Sequence, residues 1–574
     1  MQHSWERKLE PYRNKYFTGD WPTIVEMFLI TKDKFPERNC FTTFNPERFS
    51  LNYKEVYENL IRISGYLKEN GLKVGDKVMV QGANSIQWGL AYLAIHFAGG
   101  IVVPLDFQMH GDRIITLCKF SDVKFIMADT SILKKITAEE NGADFLSSMQ
   151  KVITLNKACD MAPSIWDVKA EGTYDIEKSH IDNTAAILFT SGTTGNEKGV
   201  VLTQKNIITD VYQACEDDFL NLRETDIMYA LLPLHHSYCC TTVLLETVCN
   251  GAECVFGHGI VVSRMVNDLI RGKVNFFMGI PLLYNKLLAG MMKEVKKKGF
   301  FVNGFIHMLM GINGFFKSHF GLNPFRGFFN KHILSKIGLD HNKILICGAG
   351  PLAPKVFKQY QQLGLDFVQG YGLTETSPVV TLNPTSKFKI ESVGRVFPLN
   401  ECKILNPDEN GVGEIAFRGP NNCAGYYKDE ENTKKLFTED GFVKTGDLGY
   451  LDNENYLYLK GRAKNIIVTE GGKNVFPEEI EDLFQLYSQV NQVLIRGYQE
   501  KKDVPAECIE AVIYPDPTYF EEHSEERIDE SIDEVIKAVN KELSGYKKIS
   551  KTTILDTPMV MTSTQKIKRN LIKK

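Results

Sequence analysis

FTSGTTGNEKGV, residues 189–200, gathers three Gly, three Thr and a Ser around one lysine. Such a segment buries almost nothing, and its glycines cost backbone entropy on folding, so a purely architectural explanation is weak. Its flanks are apolar. Ala185 to Phe189 reads as a short buried strand and Val200 to Leu202 as a second apolar run. A helix then starts at Thr203 as its cap, with Ile207, Val211 and Ala214 at helical spacing. A Gly/Ser/Thr-rich loop held between apolar flanks offers backbone N–H groups, hydroxyls and an ammonium to an anion, and phosphate is the natural guest. It is not a Walker A loop: Gly195 follows Gly192 after only three residues, and Gly199 stands after Lys198 where Ser or Thr would hold magnesium. Taken alone, the stretch leaves a solvated glycine turn as the alternative.

The chain has 574 residues, enough for several domains, and its 43% hydrophobic and 24% charged content is that of a globular protein. A net charge of −4 does not suggest nucleic acid as the main partner. The 12 cysteines are scattered, with only Cys239 and Cys240 adjacent and no CxxC pair. Together with an N-terminus that does not read as a secretory leader, this predicts a reducing cytoplasm and no structural zinc. No apolar run reaches the roughly 18 residues of a membrane-spanning helix.

Along the first part, helix-like Tyr53 to Leu67, strand-like Lys77 to Val80, helix-like Ile86 to Phe97 and strand-like Ile101 to Pro104 alternate. This predicts parallel sheets covered by helices. The same grammar returns at Lys343 to Cys347, which runs into Gly348-Ala349-Gly350-Pro351 and a helix from about Pro354 to Leu363. Ligands in such folds sit at the carboxyl ends of strands. After about residue 390, short strands with frequent turns predict a β-rich subdomain. The last hundred or so residues resume the alternation, with a charged helix from Glu525 to Leu543 and a basic end.

Six further segments extend the opening motif: LPLHHSY (232–238), GAGPLAP (348–354), YGLTETSP (371–378), TGDLGYLD (445–452), GRAKNIIVTEGGKNVFPEEIE (461–481) and TSTQKIKR (562–569). In this order the chain resembles the adenylate-forming, AMP-binding superfamily that includes acyl-CoA synthetases, luciferases and peptide-synthetase adenylation domains. The resemblance implies an α/β fold: a large N-terminal domain, 1–460, of parallel and mixed sheets flanked by helices, with the β-rich subdomain at about 390–460. A small mobile C-terminal α+β domain, 461–574, follows. It also implies a two-step reaction needing ATP, magnesium and coenzyme A. A carboxylate attacks the α-phosphate of ATP to give acyl-adenylate and pyrophosphate, and a thiol then takes the acyl group. Since the first step forces two anions together, the site must supply positive charge and fixed dipoles.

By the same resemblance, Thr190, Ser191, Gly192, Thr193, Thr194, Gly195 and Lys198 hold the β- and γ-phosphates. Tyr371 and Gly372 line the adenine, with Gly348, Ala349 and Gly350 over the other face of the base. Thr374 and Glu375 match nucleotide and magnesium contacts, Thr190 joining Glu375 at the metal. Asp447 accepts from the ribose hydroxyls, beside Arg462. Lys464 is the hinge, and Gly471 and Gly472 line the thiol tunnel. His236 lies near the acyl carboxylate, while His235 is read as a core histidine. Lys566 bridges carboxylate and α-phosphate. Here the sequence departs from the pattern, because Gln565 stands where Gly is common.

Between GIPLLYNKLL and KILICGAG, residues 293–336 carry seven Lys and one Arg against one Glu, with nine of the chain's 35 Phe. Basic residues mixed with aromatics, without a spanning run, predict a segment at an anionic membrane surface; Phe-rich core helices are the alternative. An insertion here, after the pattern of Pro281, Tyr284 and Lys286, is similar to that of long-chain fatty acyl-CoA synthetases. The resemblance therefore implies a cytoplasmic ligase of fatty acid metabolism, working at the inner face of a membrane. A medium-chain or aryl acid, and acyl carrier protein in place of coenzyme A, stay open.

Overall fold

The computed structural model describes residues 3–191, 197–216, 219–259, 261–469, 473–499, 508–562 and 566–572. Helix Tyr53–Glu69 begins at a capping box, Asn52 accepting from the Glu55 N–H at 2.8 Å while Glu55 reaches back to the Asn52 N–H. Helix Ile86–Phe97 is capped by Ser85, and almost all of it is buried. A helix apolar all round must lie between layers. A Cβ at its Gly89 would stand 3.2 Å from the rings of Phe41 and Phe256 in one sheet. On its other side the helix meets strands Lys77–Gln81 and Ile101–Pro104 of a second sheet.

That second sheet has seven strands, and its centre is parallel: Lys77–Gln81 pairs with Ile101–Pro104, which pairs in turn with β1 (Thr184–Ser191). β1 turns back into antiparallel β2 (Glu197–Thr203), in the register Thr190 opposite Lys198. The predicted helix follows as α1 (Gln204–Ala214), with Thr203 and Asn206 closing its capping box. The partner sheet has nine strands, and the run from Asn39–Thr43 to Phe367–Gly372 is parallel.

Phe276–Gly279 of that sheet leads into α2 (Pro281–Lys297), Gly299 at φ 98° and α3 (Phe300–Phe320). The chain returns to the sheet at β3 (Ile344–Cys347) and β4 (Phe367–Gly372). A four-stranded antiparallel sheet then includes β5 (Val443–Leu451) and β6 (Leu457–Arg462). The β-rich and final α+β regions expected from the sequence are therefore present. The last region builds its own core from Ile480, Phe484, Ile495, Ala511, Ile513, Ile532 and Val535. β6 runs through Arg462, and a short 3₁₀ turn at Ala463–Asn465 leads out of it. No helix of the described residues is long and apolar enough to cross a membrane.

Candidate active site

The opening motif is a β-hairpin. Thr190 and Lys198 face each other near its tip and line a cavity of about 2730 Å³. Gly192, Thr193, Thr194 and Gly195 lie outside the described residues, as does the Ser191 side chain. Lys198 Nζ is 3.1 Å from the Asn432 amide oxygen and 4.7 Å from the centre of the Tyr426 ring. An amide and a π-face orient the ammonium without neutralising it. The Tyr426 hydroxyl donates to Glu375 Oε1 at 2.8 Å, so one phenol ties the loop lysine to the acidic residue of YGLTETSP.

Across the cavity, Gly348 leaves the end of β3. A Cβ there would come within 2.9 Å of the Tyr238 ring, so packing against that tyrosine itself calls for glycine. Ala349 adopts φ 65° and Gly350 packs toward Pro281. At the end of β4, a Cβ on Gly372 would overlap the Pro378 carbonyl oxygen at 1.7 Å, so only glycine is accommodated. The hydroxyl of Tyr371 donates to Asp447 Oδ2 at 2.6 Å, and Arg462 Nε lies 2.7 Å from Asp447 Oδ1. The last two residues are cross-strand partners on β5 and β6. Burial first, then the Asp447 charge, raises the Tyr371 hydroxyl well above its ordinary range, so it stays a donor. The Ser237 hydroxyl donates to that of Thr374 at 3.4 Å.

Lys566 enters this cavity from the C-terminal region. Protein surrounds it, yet its side chain faces the cavity's open volume. Burial and the neighbouring Arg462 pull its ammonium from the ordinary 10.5 down to about 8, against the opposing pull of Asp447. The Lys566 N–H donates to the Thr562 hydroxyl at 3.0 Å, and the Thr562 N–H to the Lys566 carbonyl at 2.8 Å, next to a bridge between Met561 and Ile567. Gln565 lies outside the described residues. His236 lines the cavity, while His235 behind it is buried. Burial first, then His235 and Lys566, takes His236 down to about 3, and burial does the same for His235. Both imidazoles are neutral near pH 7, so the 3.7 Å approach of His235 to Asp106 is a polar contact rather than an ion pair.

Lys464 sits in the turn after β6 and also lines the cavity. Gly471 and Gly472 lie outside the described residues. Glu481 accepts two bonds from Arg569 Nη2 at 2.6 Å, tying the end of the chain to helix Pro477–Glu481. Gln485 spans the two regions. Its Oε1 accepts from the Ala353 N–H at 2.9 Å and its Nε2 donates to the Pro351 carbonyl at 3.2 Å, both within GAGPLAP. The same Nε2 donates to Asp482 Oδ1 at 2.8 Å. Lys460 of β6 meets Glu479 at 3.0 Å. Nothing in the sequence marks Gln485, Tyr426 or Asn432, because one such residue in a short 3₁₀ helix, a two-residue strand or a seven-residue helix has no periodicity to betray it.

Tyr426 fixes one oxygen of Glu375 and leaves the other for a hard cation, with the Thr190 hydroxyl on the same cavity wall. Among the described residues no cluster of three or more His, Cys, Asp or Glu forms a metal cage. Magnesium suits this donor set, since it is commonly held by one or two protein oxygens together with substrate phosphates.

A reaction that joins a carboxylate to a nucleotide phosphate must seat two anions in one cavity, and the fold and lining together define the adenylate-forming class. Residues 30–427 match the family described as AMP-binding enzyme, and residues 464–574 match the AMP-binding enzyme C-terminal domain. The chain belongs to this family and is an adenylate-forming ligase. It is 24% identical to a long-chain-fatty-acid–[acyl-carrier-protein] ligase, AEE15, of Arabidopsis thaliana, over 97% of this chain and 86% of that protein. It is 26% identical to the long-chain-fatty-acid–CoA ligase FadD15 of Mycobacterium bovis, over 79% and 75%. The fold is similar to ATP-bound MatB from Rhodopseudomonas palustris, with TM-score 0.75 at 23% identity over 96% of this chain and 98% of that one. It is similar too to o-succinylbenzoate coenzyme A synthetase from Bacillus subtilis with ATP and magnesium, with TM-score 0.71 at 21% identity over 96% and 99%.

Proposed function

We propose that the chain activates a long-chain fatty acid with ATP and passes the acyl group to coenzyme A. The observation that carries this reading is the arrangement of Lys566, Asp447, Arg462 and Glu375 around one cavity. Its wall continues along Tyr238, Met278, Ile280 and Ile346, an apolar surface suited to an alkyl chain. Each CH₂ buried there contributes about 0.8 kcal/mol to binding. The printed activities of the Arabidopsis and Mycobacterium relatives support the same substrate class.

In the first step a carboxylate oxygen attacks the α-phosphorus, the bond to the bridging oxygen breaks, and pyrophosphate leaves. Lys198, Thr190 and the hairpin loop hold the departing phosphates, with Glu375 and Thr190 as the protein donors for magnesium. The metal, when bound, neutralises phosphate charge. Asp447, oriented by Tyr371 and Arg462, accepts from the ribose. Lys566 lies between the anions and lowers their repulsion. His236, neutral, donates a hydrogen bond to the carboxylate without adding charge. In the second step the thiol sulfur attacks the acyl carbon, AMP departs, and the thiol proton passes to solvent. Rotation about Lys464 exchanges the face that presents Lys566 for the one that admits the thiol.

The test is pyrophosphate release over acids of increasing chain length, with coenzyme A or acyl carrier protein as acceptor. The expected result is release that rises with chain length and a thioester formed with coenzyme A. Turnover that ignores the acid would refute the reading, and a thioester formed only on acyl carrier protein would replace the acceptor.

A further inference from the structure

A surface helix ordinarily has one apolar stripe; α3 has two. Ile306, Leu309, Met310, Asn313 and Lys317 are buried, and α3 packs against α2 and helix Pro354–Gln362. On the far side Phe301, Phe305, Met308, Ile312 and Phe315 recur at spacings of four and three, all exposed, Phe301 at 88%. Phe300 at 86%, Phe320 and Leu322 extend the patch at either end. Of the 23 exposed large hydrophobic side chains among the described residues, ten fall within residues 300–322. Single exposed apolar residues need no explanation, but a contiguous patch marks a surface that water does not cover in use.

The charges beside the patch identify what covers it. Lys296, Lys297 and Lys298 stand immediately before α3, and Lys331 and Lys336 follow it, all exposed. Between Val295 and Leu339 there is no Asp or Glu. A second copy docking on the same face would bring mostly like charges, Glu294 beside Lys297 being the exception, because an isologous interface repeats its own patch. Anionic headgroups with acyl chains beneath them match both halves of the surface, and α3 is not apolar enough to span.

We infer that α3 and the lysines flanking it form a peripheral docking surface for an anionic lipid bilayer, with the Phe301–Phe315 stripe in the headgroup–acyl boundary. Met292, Lys296 and Lys297 of α2 and Asn303 and His307 of α3 line the active-site cavity. Docking therefore seats on the bilayer a helix that also borders the cavity. That the acid enters from the lipid rests on the fatty-acid reading; the docking itself does not.

The test is co-sedimentation of the full chain with phosphatidylcholine vesicles, with and without phosphatidylglycerol, at low and high salt. The comparison is with Phe301→Ser/Phe315→Ser and with Lys298→Glu/Lys331→Glu. The wild type is expected to pellet with the anionic vesicles, less at high salt, and each double variant to lose roughly tenfold or more of that binding. ATP–pyrophosphate exchange with a short water-soluble acid, expected unchanged in the phenylalanine variant, shows that it is folded. Two outcomes would overturn the inference. One is a wild type that stays in the supernatant with anionic vesicles, whatever its catalytic activity. The other is a self-association in ultracentrifugation that the phenylalanine variant abolishes while vesicle binding is absent, which would assign the patch to a second copy.

Discussion

Raising the pH should switch off the first half-reaction before it affects the fold, because the charge of Lys566 is poised near the working range. Burial and Arg462 disfavour the ammonium and Asp447 only partly offsets them, so its pKa falls from 10.5 to about 8. The charge is present below that value and lost as pH rises through it. About nine in ten enzyme molecules carry it near pH 7 and about one in ten near pH 9, so kcat/KM for adenylation should fall about tenfold across that interval. Bound anions raise the lysine's pKa in the complex, so kcat should fall later than kcat/KM, which reports the free enzyme. The assay is acid-dependent ATP–pyrophosphate exchange at constant ionic strength. Thioester formation from supplied acyl-adenylate is the control, and should rise over the same interval as the thiol ionises. Lys566→Arg keeps its charge throughout and should flatten the adenylation profile, at whatever lower rate its geometry allows. Lys566→Ala should lose adenylation by about a hundredfold or more while retaining turnover of supplied adenylate. A wild-type profile that is flat from pH 7 to pH 9, or a falling limb that persists in Lys566→Arg, would refute the assignment.

Three further perturbations separate the parts of the site. Asp447→Asn keeps the shape but removes the charge that Arg462 and Tyr371 hold; it should weaken ATP binding by about tenfold to a hundredfold in a nucleotide titration, through hydrogen bonds to a charged group. Gln485→Ala removes the bonds to Ala353 and Pro351, and should slow adenylation by a few-fold while leaving thioester formation from adenylate within about twofold. Burial and then Glu481, Glu478 and Glu479 raise the Asp482 carboxyl to about 8. A raised carboxyl holds a proton in the folded state that the unfolded chain has already released. Its contribution is therefore complete below about pH 4 and lost by about pH 8. Asp482→Asn should accordingly match the wild-type Tm near pH 4 and exceed it by about 2 °C or more near pH 8, measured by calorimetry.

The sequence reads best where a pattern is dense. Helix Ile86–Phe97 and strand Ile101–Pro104 are legible to the residue, because a run that is apolar but for Gln87 and His96 sits between the Ser85 cap and the Gly99-Gly100 turn. The strand order of the two large sheets is not legible, since pairing across hundreds of residues leaves no local trace; Gly425–Tyr426, for example, joins the seven-stranded sheet at the edge of β2. In residues 293–336 the composition shows charge and aromatics, but only the folded helix reveals that one phenylalanine stripe is left outside. Residues of the Gly-rich motifs that line the cavity, such as Lys198, Gly348 and Tyr371, can be named from the chain. Those that orient them cannot: Tyr426 holds Glu375, Asn432 holds Lys198, and Gln485 sets where the C-terminal region rests.

The stem that carries Lys566 is pinned at both ends. Thr562 and Lys566 exchange hydrogen bonds beside the Met561–Ile567 bridge, and Arg569 is fastened to Glu481. A lysine on a slack tail could withdraw by itself; this one travels only with the body to which it is riveted. In the proposed reaction, withdrawing that ammonium therefore means moving the C-terminal region as one body, which would make the clearing of the first products and the arrival of the second nucleophile a single mechanical event.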